Sequence, residues 1–187
     1  MTSDHTTCNR NDNRPLVLLD VDGVVNDLGA LRGGSNQPFH DVVTSHGYRV
    51  FVPHYMPALI SWLCSVAEVH WCTTWRERAN DEIASHLGIP VLPVVDDGTN
   101  DRHTGWKAAA ARDLASWALA EGRRVLWIED FYGDPPVDEM PVGVEFLDTA
   151  GDDFELVLTV DMIPDWLWAL STNAARPGTS GTSREAA

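Results

Sequence analysis

The sequence lacks the features of a secreted, membrane-bound or thiolate-metal protein. Its three cysteines, Cys8, Cys64 and Cys72, have no metal-type spacing, and the last two lie in apolar segments, as small buried side chains do. No apolar run approaches the length that crosses a bilayer, and residues 1–14 contain no apolar stretch of the kind found in secretory signals. These absences predict a reduced, cytoplasmic protein without a membrane partner.

Positive charge is also scarce. Lysine and arginine together number 13 against 28 aspartates and glutamates, which gives a net charge of −15, and the single lysine is Lys107. A broad, non-specific nucleic-acid surface needs clustered basic residues, so the composition argues against one. A polynucleotide would have to be bound locally. The histidines show no ligand spacing, and we predict no zinc site from them.

What is present fits a single enzyme-sized domain. The chain has 187 residues, of which 44% are hydrophobic and 22% charged, as in ordinary globular proteins. We predict an α/β domain over residues 15–171, between disordered tails at 1–14 and 172–187 that are rich in small and polar residues. The sequence shows no internal repeat and does not indicate an oligomeric state.

Apolar runs alternate with helical patterns along this domain. After a first strand from Leu16, we predict further strands at residues 69–73, 91–95, 124–128 and 156–160. Helices are predicted from Pro57, over 79–87, from Trp106 to Gly122 and over 164–171. Such alternation is typical of parallel βαβ units. The predicted fold is a doubly wound, Rossmann-like parallel sheet of about five strands, with helices on both faces and a small, glycine-rich flap at about 24–53.

The most informative segment is the first strand, LVLL, which runs directly into Asp20-Val-Asp22-Gly23. Side chains alternate along a strand, so Asp20 and Asp22 point to the same side. In open α/β sheets ligands bind at the carboxyl ends of the strands. Taken alone, such a pattern is more often a turn after a strand than a site.

Further polar residues fall at the same edge of the predicted sheet. Thr73 and Thr74 follow the second strand, Lys107 lies in the first turn of the long helix, and Glu129-Asp130 follows the fourth strand. A cation in the first helical turn opposes the helix dipole, which a bound phosphate would explain. Each feature alone has a structural explanation, but together and in this order they indicate a catalytic site.

With these motifs the chain resembles the haloacid dehalogenase-like (HAD) superfamily of aspartate-nucleophile phosphatases. The matching segments are DVDGVVN at 20–26, WCTTW at 71–75, Lys107 in TGWKAAA, and WIEDFYGD at 127–134. The resemblance covers about residues 15–170. The combination of TTW at 73–75, LGIPVLPVV at 87–95 and WIED at 127–130 also looks like a small, minimally capped branch that includes domains associated with RNA repair.

The resemblance implies a Mg²⁺-dependent phosphatase acting through an aspartyl-phosphate. Asp20 would attack phosphorus, and Asp22 would protonate the leaving oxygen and later deprotonate water. Thr73, with Thr74 as the alternative, and Lys107 would bind the substrate phosphate. Mg²⁺ would be held by Asp20, the carbonyl of Asp22, and Asp130. Where the family commonly has two aspartates this chain has Glu129-Asp130, so Glu129 is expected in outer support, paired with Lys107, and Asp134 as a second candidate ligand.

The substrate is left open, as a phosphorylated small molecule, a nucleotide or a nucleic-acid end. Arg76, Arg78 and Arg102 follow strand ends and suggest a basic rim, although ordinary pairing with nearby carboxylates is the favoured interpretation. Trp75 is a candidate for stacking on a base or ring. Two other functions stay open: a non-catalytic HAD-like binding or regulatory domain, and a metal-dependent nucleotide-sugar transferase, since Asp-x-Asp also binds metal-diphosphates.

Overall fold

The computed structural model describes residues 13–31, 33, 38–96, 106–131, 135–150 and 157–171. In chain order the strands are β1 (Leu16–Leu19), β2 (Phe39–Val43), β3 (Arg49–Pro53), β4 (Glu68–Trp71), β5 (Val125–Glu129) and β6 (Val144–Asp148). The α-helices are α1 (Leu28–Leu31), α2 (Met56–Val66), α3 (Ser85–Leu87), α4 (Trp106–Ala120) and α5 (Asp165–Trp168). A π-helical turn, Ala79–Ala84, leads into α3, and 3₁₀ turns occupy Val137–Glu139 and Val160–Met162.

The main sheet has four strands in the order β4-β1-β5-β6, and each neighbouring pair is parallel. β1 lies inside the sheet with all four residues buried, as a short, purely aliphatic run predicts. In register, Leu16 lies opposite Glu68 and Val125, so these three strands begin together at one edge of the sheet. We call this the amino edge, and the edge where they end the carboxyl edge.

Helices cover both faces of the sheet. Val17 and Leu19 of β1 belong to one buried cluster together with residues of α2, whereas Leu16 and Leu18 belong to a second cluster with the alanines of α4. Because neighbouring strand residues point to opposite faces, this division places α2 and α4 on opposite sides of β1. The predicted Rossmann-like parallel α/β fold is confirmed.

The predicted strand count is slightly too high for the described residues. The strand expected at 91–95 is reduced to a single parallel bridge between Val94 and Trp71, with the amide of Trp71 donating to the carbonyl of Pro93 at 2.8 Å. Pro93 has no N–H with which to continue a ladder. This segment therefore lies beside β4 without forming a regular strand.

The strand predicted at 156–160 is wrong over the described residues 157–160. Val157 and Leu158 are buried, but the amide of Leu158 donates at 2.9 Å to the carbonyl of Val24 in the loop after β1, and a 3₁₀ turn begins at Val160. The strand beyond β5 is β6, whose sequence VEFLD is only half-buried. Its charged residues interrupt the apolar pattern by which a buried strand is recognised in a sequence.

The predicted flap contains α1 and an antiparallel hairpin, β2–β3, in which Phe39 lies opposite Pro53 and Val43 opposite Arg49. β3 is mostly buried and β2 mostly exposed, so the hairpin lies with β3 against the domain. The amide of Asp27 donates to the carbonyl of Phe51 at 2.8 Å, which fixes β3 to the loop that follows β1. Residues 32 and 34–37 lie outside the described residues.

The predicted helices are found, with shifted ends. α2 begins one residue before Pro57, and the helix predicted over 79–87 starts as the π-helical turn and ends at Gly88 in the left-handed conformation (φ 65°). The closing helix is shorter than predicted. Most of the predicted tails, residues 1–12 and 172–187, lies outside the described residues. Within the described ranges, no helix has the length and apolar character required to span a bilayer.

Candidate active site

Asp20 lies at the centre of the carboxyl edge because it directly follows the interior strand β1. Its backbone amide donates to the carbonyl of Ile128 in β5 at 3.1 Å, so the sheet hydrogen bonding continues to the residue itself. Only 3% of Asp20 is exposed. The backbone of Asp20 is therefore fixed by two neighbouring strands, and its carboxylate lies at the edge that open α/β sheets use for ligands.

Lys107 bridges two carboxylates at this edge. Its Nζ lies 2.9 Å from Oδ2 of Asp20 and 2.6 Å from Oε1 of Glu129, so the predicted pairing of Lys107 with Glu129 is present. Burial works against the charged amine, but the two carboxylates outweigh it and raise the pKa of Lys107. Trp127 donates its indole N–H to Oε2 of Glu129 at 3.2 Å and fixes the other end of that carboxylate.

Asp20, Glu129 and Asp130 form a cluster in which one carboxylate oxygen from each residue lies within 4.8 Å of the other two. Burial, with the nearby charge of Asp20, raises the pKa of Glu129, and the same two causes raise that of Asp130 to about 7. Among the described residues, buried Oδ1 of Asp20 has no hydrogen-bond partner. Three carboxylates share one lysine, so the cluster fits a divalent cation, which takes hard oxygen ligands.

The turn after Asp22 leaves room for the side chain of Asp130. Gly23 has a positive φ of 71°, and a Cβ at this position would lie 2.3 Å from Oδ2 of Asp130. Thr149, fully buried after β6, donates its hydroxyl to the carbonyl of Gly23 at 2.7 Å, and its amide bonds to the carbonyl of Glu129 at 3.0 Å. Thr149 was missed in the sequence because the strand before it was missed.

Asp22 is partly buried, and a donor reaches each of its carboxylate oxygens. Nδ2 of Asn26 lies 2.9 Å from Oδ1, and the indole Nε1 of Trp75 lies 2.8 Å from Oδ2. No role was predicted for Asn26 from the sequence, although it lies in the first motif. It also suggested that Trp75 stacks on substrate, whereas its N–H here binds a carboxylate and the guanidinium of Arg78 lies 5.1 Å above its ring.

The two threonines differ sharply in exposure. Thr73 is fully buried, and its Oγ1 accepts the backbone amide of Trp75 at 3.3 Å, whereas Thr74 is exposed. The turn that Thr73 stabilises is the one that carries Trp75 to Asp22. The assignment of phosphate binding to Thr73 or Thr74 stays a prediction, and Asp134 lies outside the described residues.

The basic rim is mostly occupied by ion pairs. Arg76 pairs with Asp96 at 2.9 Å and lies over the ring of Trp106, and Arg78 pairs with Glu82 at 2.8 Å. These contacts agree with the interpretation of ordinary pairing, and Arg102 lies outside the described residues. Arg76 has a positive φ of 51°, which is uncommon for a residue with a side chain, in the loop that follows β4.

Comparisons with known proteins give structural similarities alone, since no family model and no curated protein matches the chain. A hypothetical protein from Xanthomonas campestris is 16% identical, over 72% of this chain and 62% of its own length, with a TM-score of 0.36.

Two further solved structures carry functional assignments of their own. A Vibrio cholerae protein assigned as a 3-deoxy-D-manno-octulosonate 8-phosphate phosphatase is 20% identical over 79% of this chain and 75% of its own, with a TM-score of 0.39. A Legionella pneumophila protein assigned to the HAD superfamily, subfamily III A, is 18% identical over 86% of each chain, with a TM-score of 0.38. At these identities and scores, a function for this chain must rest on its own site residues.

Proposed function

We propose that this protein is a HAD-type phosphatase that hydrolyses phosphate monoesters with Mg²⁺ and uses Asp20 as its nucleophile. The observation that carries the proposal is the state of the Asp20 carboxylate. One oxygen, Oδ2, is bound by Lys107, while the other, Oδ1, is buried and has no hydrogen-bond partner among the described residues. An unpaired buried oxygen is costly, and sites with this cost are typically functional.

The reaction we propose has two balanced steps. In the first, an oxygen of Asp20 forms a bond to phosphorus while the bond from phosphorus to the leaving oxygen breaks, and Asp22 gives that oxygen a proton. In the second, water attacks phosphorus as Asp22 takes its proton. The bond to Asp20 then breaks, which releases inorganic phosphate and restores both aspartates.

Two carboxylates and a phosphate cannot approach one another without compensating positive charge. Mg²⁺ would be held by Asp20, Asp130 and the backbone carbonyl of Asp22, with Glu129 in outer support, and when bound it would neutralise charge on the phosphate. Lys107 would supply further positive charge, and the hydroxyl of Thr73 or Thr74 would hold a phosphate oxygen. The negative excess of the cluster and the close seat of Asp130 against Gly23 support this ligand set.

The substrate class we propose is a phosphorylated small molecule or nucleotide, with nucleic-acid end phosphates as its widest extension. The chain has a net charge of −15, and the arginines Arg76 and Arg78 near the site already pair with carboxylates. A long polyanion would thus find little attraction beyond the phosphate that reacts. Comparison of mononucleotides with 3′- and 5′-phosphorylated oligonucleotides measures how far the class extends.

The test is phosphate release from an aryl phosphate with Mg²⁺ and with chelator, beside Asp20→Asn. We expect activity only with Mg²⁺, and a loss of at least about 10³-fold in the variant, because removal of a nucleophile leaves only the remaining site groups to act. Activity of Asp20→Asn equal to the wild type, or activity that persists in chelator, would contradict the mechanism. A folded protein that binds Mg²⁺ and hydrolyses no member of a phosphate-ester panel would support the non-catalytic alternative.

A further inference from the structure

Asp22 is held by two residues that the proposed reaction does not otherwise use. Its Oδ2 accepts the indole N–H of Trp75 at 2.8 Å, and its Oδ1 accepts the amide Nδ2 of Asn26 at 2.9 Å. The two donors come from different parts of the fold, one from the loop after β4 and one from the turn after β1.

The indole of Trp75 is fixed before it reaches Asp22. The backbone amide of Trp75 donates to Oγ1 of Thr73, and the guanidinium of Arg78 lies over the indole ring. Arg78 is itself held by Glu82. Because an indole N–H donates and never accepts, its bond to Asp22 has one possible direction. Trp75 therefore fixes Oδ2 from a ring that is restrained on several sides.

Asn26 is oriented by the flap hairpin. Its Oδ1 accepts the backbone amide of Phe51 in β3 at 2.9 Å, and Asn26 is only 3% exposed. Since the amide of Phe51 can only donate, the oxygen of Asn26 must face it, and Nδ2 must then face Asp22. The same geometry links the position of the hairpin to the position of Asp22.

We propose that Trp75 and Asn26 are positioning residues that hold the carboxylate of Asp22 for proton transfer, with Asn26 fixed in turn by the hairpin β2–β3. This inference rests on the proposed function, because it concerns how the acid–base residue of that reaction is placed. Proton transfer needs the acid within hydrogen-bond reach of the leaving oxygen, and a misplacement of about 1 Å can cost about 10²-fold in rate. Substrate binding needs no such placement of Asp22.

The decisive variant is Trp75→Phe, which keeps an aromatic ring and removes the N–H. The test compares two substrates, an alkyl phosphate, whose leaving oxygen must be protonated, and 2,4-dinitrophenyl phosphate, whose leaving group departs without a proton. We expect kcat for the alkyl phosphate to fall about 10- to 100-fold with KM changed by less than about twofold. Release of dinitrophenolate in the first turnover should stay within about threefold of the wild type.

The second variant, Asn26→Asp, keeps an oxygen for the amide of Phe51 and replaces the donor that faces Asp22 by a carboxylate. It should show the same selective loss with the alkyl phosphate. Trp117→Phe, which changes a tryptophan of α4 near Arg123 at the amino edge, is the matched control and should change neither rate. Both rates are expressed per folded molecule, with the folded fraction measured by circular dichroism, so partial unfolding leaves the test valid.

Each outcome decides the proposal. An equal fall in both rates, or unchanged rates in both variants, overturns the positioning role. A rise in KM at constant kcat in Trp75→Phe also overturns it, in favour of stacking on substrate. Failure of the proposed function looks different, because then the wild type itself would be inactive or Asp20→Asn would match it.

Discussion

Two clusters of buried charge lie at opposite edges of the main sheet, and they differ in how their charges are paired. At the amino edge, Glu68 of β4 contacts Arg123 at 2.6 Å and His70 at 2.9 Å. At the carboxyl edge, the carboxylates of Asp20, Glu129 and Asp130 lie together, and Lys107 pairs with the first two. Both clusters are buried, but only the second has more carboxylates than cations.

The pKa values of the carboxyl groups in the two clusters are shifted in opposite directions. Burial alone would raise the pKa of Glu68, but the hydrogen bonds from His70 and Arg123 outweigh it and lower that pKa. At the carboxyl edge, burial and the charge of Asp20 raise the pKa of both Glu129 and Asp130. A buried charge that finds its partner within the chain serves the fold. An excess of like charge is destabilising until something binds, which is typical of active sites.

The largest effect should come from Gly23→Ala, which disturbs the carboxyl edge directly. The left-handed φ costs an alanine about 1–2 kcal/mol, and overlap with the Asp130 carboxylate adds about 1–3 kcal/mol. Because Asp130 must move, we expect phosphatase activity to fall about 10²-fold. Denaturant unfolding measures the loss of stability, and phosphatase assays over a range of Mg²⁺ concentrations measure the loss of activity.

Gly88→Ala is the matched control, since Gly88 has φ 65° and open space within 4 Å of its would-be Cβ. It should lose only the cost of the backbone conformation and keep full activity per folded molecule. Equal losses of stability in the two variants would show that Asp130 does not depend on the close approach to Gly23.

At the amino edge, Glu68→Gln should destabilise the fold and spare the chemistry. Removal of the charge leaves Arg123 buried without its counter-ion, and we expect a loss of about 3 kcal/mol, at the low end for a broken buried pair because glutamine still accepts hydrogen bonds. Urea unfolding measures this loss, and kcat per folded molecule should stay at the wild-type value. A loss below about 1 kcal/mol, or a selective loss of kcat, would remove the distinction between the two edges.

Asp130→Asn should have a smaller effect of the opposite sign. In chelator at pH 8, where Asp130 with its pKa of about 7 would be ionised, removal of its charge relieves the cluster and should raise the melting temperature, by about 2–4 °C for each kcal/mol gained. Because the pKa of Asp130 is raised in the fold, its cost grows between the ordinary value of 3.8 and about 7, so the gain should be about half as large at pH 5.5 and should vanish only below about pH 3.8.

Mg²⁺ provides the complementary measurement for this variant. A ligand that binds only the folded state raises its stability, so Mg²⁺ should raise the melting temperature of the wild type and of Glu68→Gln but not of Asp130→Asn. A wild-type melting temperature that does not change with millimolar Mg²⁺ would contradict the proposed metal ligands.

The sequence was sufficient for the carboxyl edge because its residues directly follow strands of strong apolar character. Asp20 follows LVLL and Glu129 ends VLWIE, and both strands are completely buried. Once the strands are parallel, their carboxyl ends must lie at one edge of the sheet. The order of the motifs along the chain then indicates which residues belong to the site. The pairing of Lys107 with Glu129 was expected from the resemblance, because Glu129 stands where the family commonly has an aspartate.

Contacts that depend on strand register and loop shape could not be predicted from the sequence. Trp75 and Asp22 are 53 residues apart, and their hydrogen bond depends on the turn that Thr73 stabilises. Thr149 follows a half-buried strand whose charged residues break the apolar pattern. The amino-edge cluster required the register that places Glu68 opposite Leu16, which no local pattern encodes.

The smallest effect concerns Glu82, a carboxylate outside both clusters that ties the flap hairpin to the π-helical turn. It accepts from the amide and hydroxyl of Ser45 and from Arg78. The bond from Arg78, followed by those from Ser45, lowers the pKa of Glu82 to about 2. Because the pKa is lowered, the stabilisation is complete above the ordinary value near 4.5 and is lost as the pH falls through about 2.

An NMR titration of the Glu82 carboxyl should therefore show a midpoint near 2, and the Ser45 amide should shift with it. Arg78→Gln should move that midpoint up toward 4.5. A wild-type midpoint already near 4.5 would mean that the hairpin is not tied down here in solution. Set beside a midpoint near 7 for Asp130 in chelator, the Glu82 value would show that carboxylates with partners within the chain and those crowded at the carboxyl edge titrate on opposite sides of their ordinary range.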